Sequence, residues 1–145
     1  MAGLEKDTPL PTKIVVHSVS RALEVEFADG RNFRFPFEFL RVNSPSAEVR
    51  GHGKGQEVLQ VGKRDVLIDR VEPVGQYAIQ PCFSDGHDSG IYSWDYLYWL
   101  GVNQPDLWLQ YLENLAAAGK SRGEGESPAE AAPAPRATEL RRPKS

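Results

Sequence analysis

The sequence predicts a small two-layer α+β domain, mainly antiparallel sheet with one or two C-terminal helices. Three observations carry this. Apolar and polar residues alternate on both sides of Asp29-Gly30, as in a hairpin with one buried face. A second extended run ends in a polar turn over 84–90. Apolar residues then recur at helical spacing from Leu107 to Leu115.

The first strands are expected over 13–18, 22–28 and 31–35. Ile14-Val15-Val16 supplies β-branched residues; Leu23, Val25 and Phe27 alternate with Glu24 and Glu26; Phe33 and Phe35 resume the pattern. Asp29-Gly30 is a hairpin signal because a tight primed turn needs positive φ. Pro36 stops the third strand, and 37–41 is expected as one helical turn. Asn43 to Gly55 is rich in Ser, Pro and Gly and is expected as a surface loop. Its Gly51-His52-Gly53-Lys54-Gly55 is not a phosphate loop, lacking the Gly-Lys-Ser/Thr ending and the strand-to-helix context.

Val66-Leu67-Ile68 is expected as a short strand, 69–75 as a connection, and 77–83 as another strand. Pro81, which has no N–H, calls for an edge or a bend there. Ile91-Tyr92 returns as a short strand, Ser93 caps a helix over 94–100, and Gly101 ends it. Asn103 then caps a second helix, with Pro105 in its first turn and Gly119 as its stop.

Composition sets the outer limits. The chain has 145 residues, 40% hydrophobic and 10% aromatic, which suits one core. After Gly119 the sequence turns to Gly, Ser, Pro, Ala and Glu, which cannot bury enough apolar surface to offset ordering entropy. The expected organisation is therefore a flexible arm at 1–12, a domain at 13–118 and a disordered tail at 119–145. No apolar run approaches the roughly 20 residues of a membrane span. The start lacks a basic end followed by an apolar stretch, so no secretory signal is expected. One cysteine, Cys82, forbids an internal disulfide and fits a reducing, cytoplasmic setting. Residues 120–145 hold six Lys/Arg and four Glu, leaving the preceding part with eleven Lys/Arg against sixteen Asp/Glu. An acidic domain is a poor generic binder of nucleic acid.

Several stretches together resemble a family of small bacterial proteins of unassigned function, related to the N-terminal domain of gamma-butyrobetaine dioxygenase. They are the hairpin ending in Asp29-Gly30, the run Phe37-Glu38-Phe39-Leu40-Arg41-Val42-Asn43-Ser44-Pro45-Ser46, and above all Asp85-Gly86-His87-Asp88-Ser89-Gly90-Ile91-Tyr92-Ser93-Trp94-Asp95-Tyr96-Leu97. The resemblance covers about residues 12–115 and implies a two-layer α+β domain. In the dioxygenases the matching domain holds a structural zinc by three cysteines and a histidine. Here the cysteine positions read Ser44, Ser46 and Val49, and only His87 matches the fourth ligand. The resemblance thus implies a degenerate zinc site, and neither zinc nor any other cofactor is expected. Relatives also occur fused to P-loop iron–sulfur carrier ATPases, which implies a role near cluster delivery or cofactor metabolism.

The candidate binding residues are His87, Asp85, Tyr92, Trp94, Tyr96 and Trp99. His87 is read first as a turn residue bonded to a carboxylate or carbonyl, and second as a metal ligand or acid/base. Convergence of His52, Cys82 and His87 has no spacing to support it. Cys82, between Pro81 and Phe83, is read as a buried inert thiol. The aromatics of 94–99 cannot all face one small core, so one or two are expected at an interface. Oxygenase iron chemistry opens with a His-x-Asp/Glu pair, but the residues two after His17, His52 and His87 are Val19, Lys54 and Ser89. No nucleophile–base pair stands out and no catalytic residue is expected. The leading reading is a non-enzymatic module that binds an unidentified protein partner. The rival is a small-ligand or metal-binding protein using His87, Asp85, Asp88 and nearby tyrosines.

Overall fold

The computed structural model describes residues 8–50 and 58–123. The expected loop at 51–55, with His52, and most of the expected arm and tail lie outside the described residues. Two antiparallel three-stranded sheets are covered by helices, an α+β arrangement. The first sheet runs in the order β1 (Pro11–His17), β2 (Ala22–Phe27), β3 (Asn32–Pro36). It starts earlier than expected because the backbone around Pro11 already lies beside β2, where Ala28 N–H donates to Leu10 carbonyl at 2.8 Å.

The hairpin between β2 and β3 is looser than a two-residue primed turn. Such a turn needs positive φ at both central residues. Only Gly30 has it, at 92°, and Phe27 N–H donates across Ala28–Gly30 to Arg31 carbonyl at 2.8 Å. Asp29 instead uses its side chain, accepting from Arg31 N–H at 3.0 Å and from the Tyr98 hydroxyl at 2.6 Å.

The second sheet runs β4 (Ile68–Val74), β5 (Ala78–Phe83), β6 (Tyr92–Ser93). The segment expected as a connection is therefore most of β4, pairing from Arg70–Cys82 to Val74–Ala78 after an irregularity at Asp69. Charged Asp69, Arg70 and Glu72 point to solvent from an edge strand, which hides the alternation from a sequence reader. Pro81 sits in the central strand opposite Val71. It is tolerated because β6 pairs only with Ala78 and Ile79, so β5 has no second neighbour at Pro81.

Helices α1 (Phe37–Val42) and α2 (Ala47–Arg50) follow the first sheet, and α3 (Trp94–Val102) and α4 (Gln104–Ala118) follow the second. The expected surface loop is corrected at its start: Ser44, Ser46 and Val49 are buried. Two helix-end expectations are also corrected. Gly101 does not end α3; it lies within it, where an added Cβ would stand 2.4 Å from the Phe33 ring, so it lets the helix cross β3 closely. Asn103 makes no side-chain cap for α4. Its Nδ2 donates backward to the Trp99 carbonyl at 2.9 Å, closing α3. Ser93 does cap α3, accepting from Tyr96 N–H at 3.4 Å, and Gly119 ends α4 at φ 68°.

One apolar core joins the layers. Leu23, Val25, Phe27, Phe33 and Phe35 meet Phe37, Phe39 and Leu40 of α1, Phe83 and Tyr92 of the second sheet, and Leu97 and Leu100 of α3. A smaller cluster places Val42 under Tyr111, Leu112 and Leu115 of α4. No helix among the described residues is long and apolar enough to cross a membrane.

Candidate functional site

The polar centre lies where the segment after α1 meets the turn between β5 and β6. Burying Ser44 and His87 away from water obliges their polar atoms to find partners. His87 is 5% exposed and is held on both ring nitrogens, with Ser44 Oγ 2.8 Å from Nε2 and Glu48 Oε1 3.0 Å from Nδ1. A carboxylate only accepts, so Nδ1 carries the proton and Nε2 accepts from the Ser44 hydroxyl. Burial lowers the His87 pKa, and the Arg41 charge lowers it further, against the opposing pull of Glu48. The ring is neutral at neutral pH, the state this bonding pattern needs.

The serines continue the network. Ser46 N–H donates to Ser44 Oγ at 3.2 Å, Glu48 N–H donates to Ser46 Oγ at 3.2 Å, and Ser46 Oγ lies 2.7 Å from Ser89 Oγ. Gly90 has to be glycine here, since a Cβ would stand 2.4 Å from Ser44 Oγ. Asp85 closes the other side. One of its oxygens accepts from His87 N–H at 3.2 Å; the other takes Arg41 Nε at 2.9 Å and Lys63 Nζ at 2.6 Å. Burial raises the Asp85 pKa, but the bonds from Lys63 and Arg41 outweigh it and bring it to about 2. Arg41 is itself buried, and its Nη1 has no acceptor among the described residues.

Glu48, His87 and Ser44 stand in the order of a carboxylate–imidazole–hydroxyl relay, the arrangement that activates a serine nucleophile. Its exposures run opposite to that use. Ser44 is 0% exposed with the Gly90 backbone against it, while the Glu48 side chain is 69% exposed. Ser44 Oγ is enclosed in this arrangement, and the relay ties α2 and its approach to the 84–90 turn.

The structure thus brings Asp85 and His87 together with Ser44 and Ser46, and Val49 is buried in α2. Three of the four aromatic candidates lie inside, and Tyr98 and Trp99 are half-buried. Tyr92, Trp94 and Tyr96 are 0%, 9% and 4% exposed. Their polar tips are spent inside, on the carbonyls of Leu40, Gln76 and Asn43 respectively. A two-residue strand followed directly by a helix carries these rings into the core. Trp99 is half-buried, stacked on Tyr96 with centroids 6.0 Å apart. Cys82 is half-buried rather than buried, its residue paired with Arg70 across β4 and β5.

Arg41, Glu48 and Lys63 were missed by sequence reasoning. Glu48 follows Ser44 by four positions, a local hint, whereas Arg41 and Lys63 reach Asp85 across 44 and 22 positions. The expected tail also begins too early. Gly119 turns the chain back, and residues 120–123 pack on the domain through Arg122, which forks onto Glu38 of α1 at 2.8 and 2.9 Å.

The family model described as gamma-butyrobetaine hydroxylase-like, N-terminal, matches residues 14–98. A protein solved by solution NMR is 49% identical, with a TM-score of 0.72 over 83% of this chain and 94% of its own. A second NMR structure is 47% identical, also at 0.72, covering 85% and 92%. The crystal structure of a protein with unknown function of the DUF971 family from Acidithiobacillus ferrooxidans ATCC 23270 is 42% identical, with a TM-score of 0.50 over 63% of this chain and 91% of its own. No curated protein matches.

Proposed function

Because this chain belongs to the gamma-butyrobetaine hydroxylase-like N-terminal family, we propose that it works as a non-enzymatic protein-interaction or accessory module. The observation that supports this most is how the polar centre is spent. Ser44, His87, Glu48, Asp85, Arg41 and Lys63 tie three chain segments together, and the one hydroxyl–imidazole pair among them is sealed. Apolar side chains meanwhile remain outside: Val102 on α3, one turn from Trp99, is 48% exposed and Leu109 on α4 is 45% exposed. The link to iron–sulfur or cofactor metabolism implied by the family resemblance is the setting in which a partner is sought. Pull-down with wild-type chain and with Trp99→Ala and Val102→Asp variants tests the module, with loss of a partner expected. If folded variants retained every partner, the proposed face would be wrong.

A small-ligand site at the His87 turn is the second reading, favoured by the buried Arg41 Nη1 beside Asp85 and by the exposed Glu48 carboxylate on His87. Titration with Zn²⁺, Fe²⁺ and inorganic phosphate, followed by NMR at His87 and Lys63, tests it. Unmoved resonances remove it.

A further inference from the structure

We infer that the surface lined by Glu38, Trp108 and the 62–64 backbone is a recognition site for an extended arginine-bearing segment of a partner protein, filled here in cis by Ser121-Arg122-Gly123. Its arginine is met by side chains and the carbonyls of Ser121 and Arg122 by backbone donors. The Glu38 carboxylate sits on α1 at 6% exposure and takes Arg122 Nε at 2.9 Å and Nη2 at 2.8 Å. This fork-on-fork geometry suits a guanidinium and not an ammonium. The same guanidinium lies over the Trp108 ring, 5.3 Å from its centroid.

Backbone contacts fix the position of the segment. Gly62 N–H donates to the Ser121 carbonyl at 3.1 Å, and Arg64 N–H donates to the Arg122 carbonyl at 3.0 Å. At the next position Gly123 is buried, and a Cβ on it would stand 3.2 Å from Arg64 Nε and Nη2, the far end of a flexible side chain that can move aside. Side-chain charge, an aromatic face and two backbone donors therefore converge on two successive residues, Ser121 and Arg122. That is the combination by which peptide-binding modules read short motifs.

Among the described residues the segment follows α4 through the Gly119 turn, and Glu38, Trp108 and the 62–64 backbone would offer the same groups to a segment of another chain. Tethering gives the cis copy a high effective concentration, and a partner has to displace it. Lys63 lies between the two donors and bonds Asp85 at 2.6 Å. This inference rests on the module reading but assigns a different face from α3 and Val102.

The test uses the full-length chain carrying Arg122→Ala and a labelled Lys-Ser-Arg-Gly-Glu peptide, read by fluorescence anisotropy. Saturable binding is expected, at least about ten-fold tighter than to wild type, whose cis segment competes. Binding is lost when the peptide carries alanine for arginine, or when Glu38→Gln is added to the chain. Arg122→Lys keeps the charge beside Glu38 and repeats the test should Arg122→Ala not fold. No saturation with either folded variant, equal affinity for the arginine-free peptide, or equal affinity of wild type overturns the proposal. Each leaves the Trp99 and Val102 pull-down to judge the module separately.

Discussion

Ser44 and His87, 43 positions apart, meet with Ser44 Oγ 2.8 Å from the imidazole Nε2, and neither is more than 5% exposed. The bond fastens the segment after α1 to the turn after β5. Ser44→Ala removes the donor and leaves Nε2 buried without a partner, a loss of about 1–3 kcal/mol. Urea unfolding at neutral pH measures it.

Stability falls on the acid side in two stages. His87 titrates below its ordinary 6.5 in the fold. As pH drops past that value the unfolded chain takes up a proton that the folded chain resists, so stability declines. Asp85 acts lower down. Its stabilisation is complete above 3.8 and is lost as pH falls toward about 2. Unfolding free energies of wild type and His87→Asn, compared from about pH 7.5 to pH 5, should converge as pH falls. A constant gap would show that His87 is not the group responsible.

Two glycines respond to alanine for opposite reasons. Gly101 sits in a helix, where alanine by itself stabilises by about 1 kcal/mol. The new Cβ would enter the Phe33 ring at 2.4 to 2.6 Å. Overpacking of about 1–3 kcal/mol outweighs the propensity gain. Gly101→Ala lowers Tm, and Gly101→Ala with Phe33→Leu recovers part of the loss.

Gly119 has open space around its missing Cβ but a φ of 68°. Gly119→Ala costs about 1 kcal/mol through the left-handed backbone alone, and no neighbouring truncation rescues it. Thermal melts of the two alanine variants, with and without Phe33→Leu, separate the causes.

Glu24 on the outer face of β2 gives an independent acid-range marker. Its pKa is lowered from 4.5 to about 2, first by the Asn32 bond and then by His17. Asn32→Ala raises the Glu24 value, and the acid limb of the unfolding curve moves to higher pH. Carboxylate NMR titration reads the shift directly.

Local codes were legible in the sequence. The alternation of Leu23, Val25 and Phe27 places β2 with one buried face, Ser93 starts α3 and Gly119 stops α4, because strand period and helix caps are set by neighbours a few residues away. The family was legible too, since it is carried by contiguous runs of residues. Tertiary structure alone decided what those residues are for. Gly101 looked like a stop until Phe33 approached it, and the candidate binding residues Tyr92, Trp94 and Tyr96 are packed into the core. His87 acquired its chemistry from Ser44 and Glu48, and Arg122 from Glu38, at separations of 43, 39 and 84 positions. Burial makes such partners obligatory, and only the packing of the layers chooses them.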